Sequence, residues 1–136
     1  MGGTTAPRLT IGLPLFNGER YLQSAADAIL GQTFEDFELL IADNGSTDGS
    51  EAICRRLCAE DPRVRYVRHR SNIGAALNHN YVVEVARGEL FRWAAHDDLI
   101  APTAIERCVE LLDERGPEYV LAFPRTRMIA ADGNHI

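Results

Sequence analysis

A chain of 136 residues has room for one domain and one modest core, and its 46% hydrophobic and 25% charged residues are ordinary globular composition. The formal net charge of -6 argues against a non-specific nucleic-acid binder, which would show a basic face, and every basic residue is an arginine. No apolar stretch approaches the length of a membrane span, and three cysteines without a signal peptide point to a reducing compartment and no disulfide framework.

Met1 to Pro7 reads as a disordered or artificially added start, so residues 1–8 are set apart from a single domain over residues 9–136. Leu9 to Pro14 is predicted as the first strand. Glu19 to Gln32 carries Leu22, Ala25, Ala26, Ile29 and Leu30 at the spacing of a helix packed on one side. Phe37 to Ala42 is a second strand, and Ser50 to Ala59 a second helix with Ile53 and Leu57 inward. Cys54 and Cys58 share a face of that helix, and with no further ligand nearby they read as small hydrophobes. Val64 to Arg68 is a third strand. Ala75 to Ala86 is a third helix, with Leu77, Tyr81 and Val85 on its inner face and Gly88 as its C-cap. Glu89 to Ala95 is a fourth strand, and Pro102 opens a fourth helix that Gly116-Pro117 ends. Tyr119 to Phe123 and Arg125 to Ala130 read as fifth and sixth strands before a turn at Asp132-Gly133-Asn134. The alternation implies an α/β domain, a mostly parallel sheet with helices on both faces. The chain stops inside what reads as a hairpin, which suggests an N-terminal fragment with an open strand edge, and from that edge a homodimer through the C-terminal segment is expected.

Two segments carry chemistry. Leu39 to Ala42 ends at Asp43, followed by Asn44-Gly45-Ser46-Thr47-Asp48-Gly49-Ser50. Helix capping accounts for Ser46, Thr47 and Asp48, but not for a carboxylate at the strand end, where open parallel sheets place their ligands. The fourth strand runs into His96-Asp97-Asp98. Adjacent carboxylates repel unless a cation compensates them, and a hard divalent ion with oxygen ligands usually comes with substrate phosphates. Alone, the pair reads as solvated loop acids; opposite Asp43 it reads as a site.

Read together, the motifs resemble the family 2 glycosyltransferases of the GT-A (Rossmann-like) fold. The resemblance rests on the strand ending in Pro14-Leu15-Phe16-Asn17, on Gln32-Thr33-Phe34-Glu35-Asp36-Phe37-Glu38 and on Asp43 to Ser50. Asn72-Ile73-Gly74 with Leu77-Asn78, Ala86-Arg87-Gly88-Glu89 and Asp97-Asp98 complete it, in order and with consistent spacing. It implies a nucleotide-diphosphate sugar donor, with Pro14, Leu15, Phe16, Asn17 and Glu19 against the nucleotide and Asp43 on the base. Asn72, Gly74 and Asn78 line the far side of base and ribose. Asp97 and Asp98 divide ribose contact and coordination of a divalent metal, Mn²⁺ or Mg²⁺. Many members have a further acid where this chain has Ala95, and His96 is expected to be a pocket residue without a metal-ligand role. The resemblance implies sugar transfer, with inversion, to an acceptor hydroxyl on a saccharide, lipid-linked or protein acceptor, as in polysaccharide or cell-envelope biosynthesis. It also implies a cytoplasmic location, at or near the membrane face, and a fragment that is inactive alone. The acceptor region and catalytic base are expected beyond Ile136. The alternatives are an inactive nucleotide-binding or interaction module and a nucleotidyltransferase on a similar sheet. The latter lacks support in the loop after the first strand, which holds no basic residue and no Gly-rich phosphate loop.

Overall fold

A computed structural model describes residues 6–136, so most of the expected disordered start lies outside the described residues. The elements alternate: β1 (Leu9–Leu15), α1 (Glu19–Leu30), β2 (Phe37–Asp43), α2 (Ser50–Glu60), β3 (Val64–Arg68), α3 (Ala75–Glu84), β4 (Leu90–Trp93) and α4 (Ala104–Arg115). The strands form one parallel sheet in the order β3-β2-β1-β4.

The apolar runs of β1 and β2 follow from their central place, because a strand covered on both faces has no side to offer water. All seven β2 positions are buried. Leu39 and Ile41 point, with Ile11, Leu13 and Leu15 of β1, toward Leu22 and Ile29 of α1, Cys54 and Leu57 of α2, and Ile105 and Val109 of α4. Leu40 and Ala42 face the other way, where Val82 of α3 joins them. Helices therefore cover both faces, three on one side and one on the other. Each large aliphatic side chain removed from water here contributes about 1.5–3 kcal/mol to folding.

Three local expectations are corrected. The inner face of α3 is Asn78 and Val82, and Leu77, expected inside, is 58% exposed. The helix can turn an asparagine inward because its carboxamide finds a partner there, donating to the Ala42 carbonyl at 2.8 Å. Gly88 does not cap α3, which ends at Glu84; it lies where the returning chain presses on β1. Residues 119–123 and 125–130 form no strand. A strand needs a ladder partner and a face to bury. Apart from one isolated bridge at Ile129, these residues lack both: Val120 is 89% and Phe123 78% exposed, and a cleft of about 660 Å³ separates the segment from β4 and α4. The turn at residues 132–134 is present, closed by an Ile129–His135 antiparallel bridge and by Ala130 N–H donating to the Asn134 carbonyl at 2.8 Å.

Candidate functional site

Parallel strands bring their carboxyl ends to one edge of the sheet, so the loops after β1, β2, β3 and β4 gather there. The first two are stitched together. Asn17 N–H donates to Ser46 Oγ at 2.9 Å, Thr47 N–H to Asn17 Oδ1 at 2.8 Å and Gly18 N–H to Ser50 Oγ at 3.0 Å. Asn17 holds a left-handed φ of 51°, which a short polar side chain tolerates. Two carboxylates then cap each other's helices. Glu19 N–H donates to Asp48 Oδ2 at 3.1 Å, while the Glu19 carboxylate accepts from Gly49 N–H. This satisfies donors at the starts of both α1 and α2. Burial pushes the Asp48 carboxyl up, but hydrogen bonds from Ser50 and the Glu19 backbone prevail and hold it below the usual carboxylate range.

Asp43 lies beneath this stitching and is fully buried. Its Oδ1 accepts from Ser46 N–H at 2.8 Å, and its Oδ2 accepts from the Tyr66 hydroxyl at 2.8 Å. Arg68 Nε stands 3.3 Å from Oδ2 and 3.2 Å from Glu51. Burial first, and then the Asp43 carboxylate, push the Tyr66 hydroxyl far above its ordinary range, so it stays a donor. Burial likewise pushes the neighbouring Cys54 thiol up to about 12, with the Asp43 charge adding to it, which makes this cysteine an inert core residue.

Above Asp43 opens a cleft of about 310 Å³. Of the residues predicted to bind nucleotide, Pro14, Leu15, Phe16, Asn72, Asn78 and Asp97 line it. Asn17 and Glu19 are engaged in the stitching, and Asp43 serves the turn below. Asn44 reaches the cleft instead: its Nδ2 donates to Asn72 Oδ1 at 3.0 Å and its Oδ1 accepts from Ile73 N–H at 2.8 Å. Asn72 Oδ1 also accepts from Gly74 N–H at 2.8 Å, and Gly74 takes a φ of 94° to open α3. His96 lines the cleft, as expected, with its ring so close to Gly18 that an added Cβ there would lie 2.6 Å away. His79 also lines it.

Asp97 and Asp98 are exposed on the loop after β4, which ends at Trp93, two residues before the expected end. Among the described residues neither carboxylate has a hydrogen-bond or ion-pair partner, and no three His, Cys, Asp or Glu side chains converge on a metal-sized site. Two unspent carboxylates beside a cleft still suit a hard cation, since Mg²⁺-type ions are held by one or two carboxylates together with water and substrate phosphates. A larger cleft, about 720 Å³, lies at the opposite ends of the strands beside Arg63 and Arg65. Those arginines are committed to Asp61 and Glu38 and to the Leu30 and Val85 carbonyls, so the cleft is structural in character.

The profile of the family described as glycosyl transferase family 2 matches residues 10–134. The chain belongs to this family. Its relatives include the chondroitin synthase of Escherichia coli, 33% identical over 132 residues, which are 96% of this chain and 19% of that protein. Among solved structures, S. aureus TarS in complex with UDP-GlcNAc superposes with a TM-score of 0.73 at 22% identity, over 79% of this chain and 31% of that one. The mannosyltransferase PcManGT from Pyrobaculum calidifontis, in complex with GDP-Man and Mn²⁺, gives 0.63 at 27% identity, over 71% of this chain and 29% of that one. The sheet and helices are thus the GT-A fold, and this family 2 chain spans less than a third of each of these proteins.

Proposed function

We propose that this family 2 domain binds a nucleotide-diphosphate sugar and a divalent metal at the cleft above Asp43, and that within a longer protein the sugar passes to an acceptor hydroxyl with inversion. The observation that carries the reading is the convergence of Phe16, Asn44, Asn72, Asn78 and Asp97 on one cleft at the carboxyl ends of the strands. Asparagine side chains present both a donor and an acceptor, as a nucleobase edge and ribose hydroxyls require. Phe16, 44% exposed, offers an apolar face to the base. Asp97 is assigned to the ribose and, with Asp98, to the metal, the roles the resemblance implies. A bound Mn²⁺ or Mg²⁺ would neutralise the departing diphosphate. Glu19 and Asn17 support the site from behind by fixing the loop that carries Phe16. Asp97 is the only carboxylate lining the cleft among the described residues, so the general base is assigned to sequence beyond Ile136.

Calorimetry with UDP, GDP and TDP, each with Mn²⁺ and with chelator, tests this reading. Binding of one of them is expected in the presence of metal and lost in chelator, and Asp98→Asn should remove the metal dependence. Equal affinity with and without metal would contradict the role of Asp97 and Asp98.

The same proposal includes a homodimer through the C-terminal segment, supported by the exposure of Val120, Leu121, Phe123 and Met128. Sedimentation at high concentration should show the dimer, and a strictly monomeric species would remove this part. No helix among the described residues is long and apolar enough to cross a membrane. The three unpaired cysteines, with Cys58 exposed, support a cytoplasmic location.

A further inference from the structure

Asn78 sits at the floor of the cleft, 2% exposed, and its orientation can be assigned from its partners. Its Nδ2 donates to the Ala42 carbonyl at 2.8 Å, which identifies that end of the carboxamide as the amine. Oδ1 therefore faces His69, whose Nε2 lies 2.9 Å away. An oxygen can only accept, so the His69 ring must carry its proton on Nε2. The ring is itself held by other contacts. The His69 backbone N–H donates to the Asp43 carbonyl at 2.9 Å, and the imidazole meets the Tyr81 ring edge-on, with centroids 4.8 Å apart.

We propose that His69 is a positioning residue for donor binding: its Nε2–H fixes the Asn78 carboxamide so that the remaining N–H and lone pair of Asn78 meet the nucleotide in one defined sense. This rests on the nucleotide reading above. A carboxamide flip would set oxygen against the Ala42 carbonyl and would exchange donor for acceptor at the cleft. The His69 hydrogen bond and the Ala42 carbonyl together oppose that flip. His69 thereby couples the end of β3 to α3 without touching the ligand.

The test is calorimetry with UDP and GDP in Mn²⁺ on His69→Phe and His69→Gln. Phenylalanine keeps the edge-on contact with Tyr81 and removes the donor; the glutamine amide nitrogen can occupy the place of Nε2 and restore it. His69→Phe should weaken binding about fivefold to tenfold, the worth of one buried hydrogen bond, and His69→Gln should recover most of the affinity. Thermal unfolding establishes that both variants are folded at the assay temperature. Unchanged affinity in His69→Phe would overturn the proposal. Equal weakening in both variants would make His69 a packing residue and overturn it as well. Failure of the unsubstituted chain to bind either nucleotide would overturn the nucleotide reading itself, a distinct outcome that takes this inference with it.

Discussion

Asp43→Ala lowers the unfolding free energy by about 2–4 kcal/mol, because it strips a buried carboxylate from three partners at once. The Tyr66 hydroxyl, with its high proton affinity, and the Ser46 N–H are both left without an acceptor inside the protein. Arg68 contributes less, since it is one-third exposed and keeps Glu51. The resemblance, which sets Asp43 on the base, suggests the opposite balance, in which nucleotide binding weakens more than the fold does. Complete burial of Asp43 shifts the expected balance toward stability. Asp43→Asn restores an acceptor for Tyr66 and should recover part of the stability. Urea unfolding of the three proteins, paired with nucleotide titration below their melting temperatures, reads both effects. Unchanged stability in Asp43→Ala with abolished nucleotide binding would return Asp43 to the role of hydrogen-bonding the base.

Gly88→Ala is expected to destabilise by about 1–3 kcal/mol, or to prevent folding, although in the sequence the position reads only as a helix C-cap. An added Cβ would stand 2.4 Å from the Thr10 backbone nitrogen and 2.5 Å from the Leu9 carbonyl carbon, and neither atom can move without dragging β1. The Gly88 and Arg87 N–H groups both donate to Thr10 Oγ1, at 2.8 and 3.1 Å. Thr10 in turn donates to Glu38 at 2.7 Å, and Arg65 clamps Glu38 through both carboxylate oxygens. Shifting β1 would disturb this whole buried node. The denaturation midpoint of Gly88→Ala checks the expectation, and a value equal to that of the unsubstituted chain would contradict the close approach.

The parts of the fold that are readable from sequence are those with a strong period or a long apolar run. Leu39 to Ala42 could only be a strand covered on both faces, and the spacing of Leu22, Ala26 and Ile29 could only bury one side of α1. The inner face of α3 escapes such reading because its key residue is polar; only the Ala42 carbonyl and His69, far along the chain, explain why Asn78 is inside. Residues 119–130 mislead in the other direction: their composition favours a strand, but β-propensity does not supply a neighbouring strand to pair with. The cleft follows the same division. Phe16, Asn72 and Asp97 belong to recognisable motifs and do line it. The complete burial of Asp43, while its neighbour Asn44 lines the cleft, depends on Tyr66 and Arg68 from β3, partners that no local pattern names.

The most direct measurement is a chemical-shift map of the isotope-labelled chain titrated with a nucleoside diphosphate and Mg²⁺. Shifts concentrated at Phe16, Asn44, Asn72, Ala75, Asn78 and Ala95 would place the nucleotide in the cleft above Asp43, as the account requires. Shifts confined to Arg63, Arg65 and Arg87 at the opposite ends of the strands, or no shifts at saturating nucleotide, would contradict it.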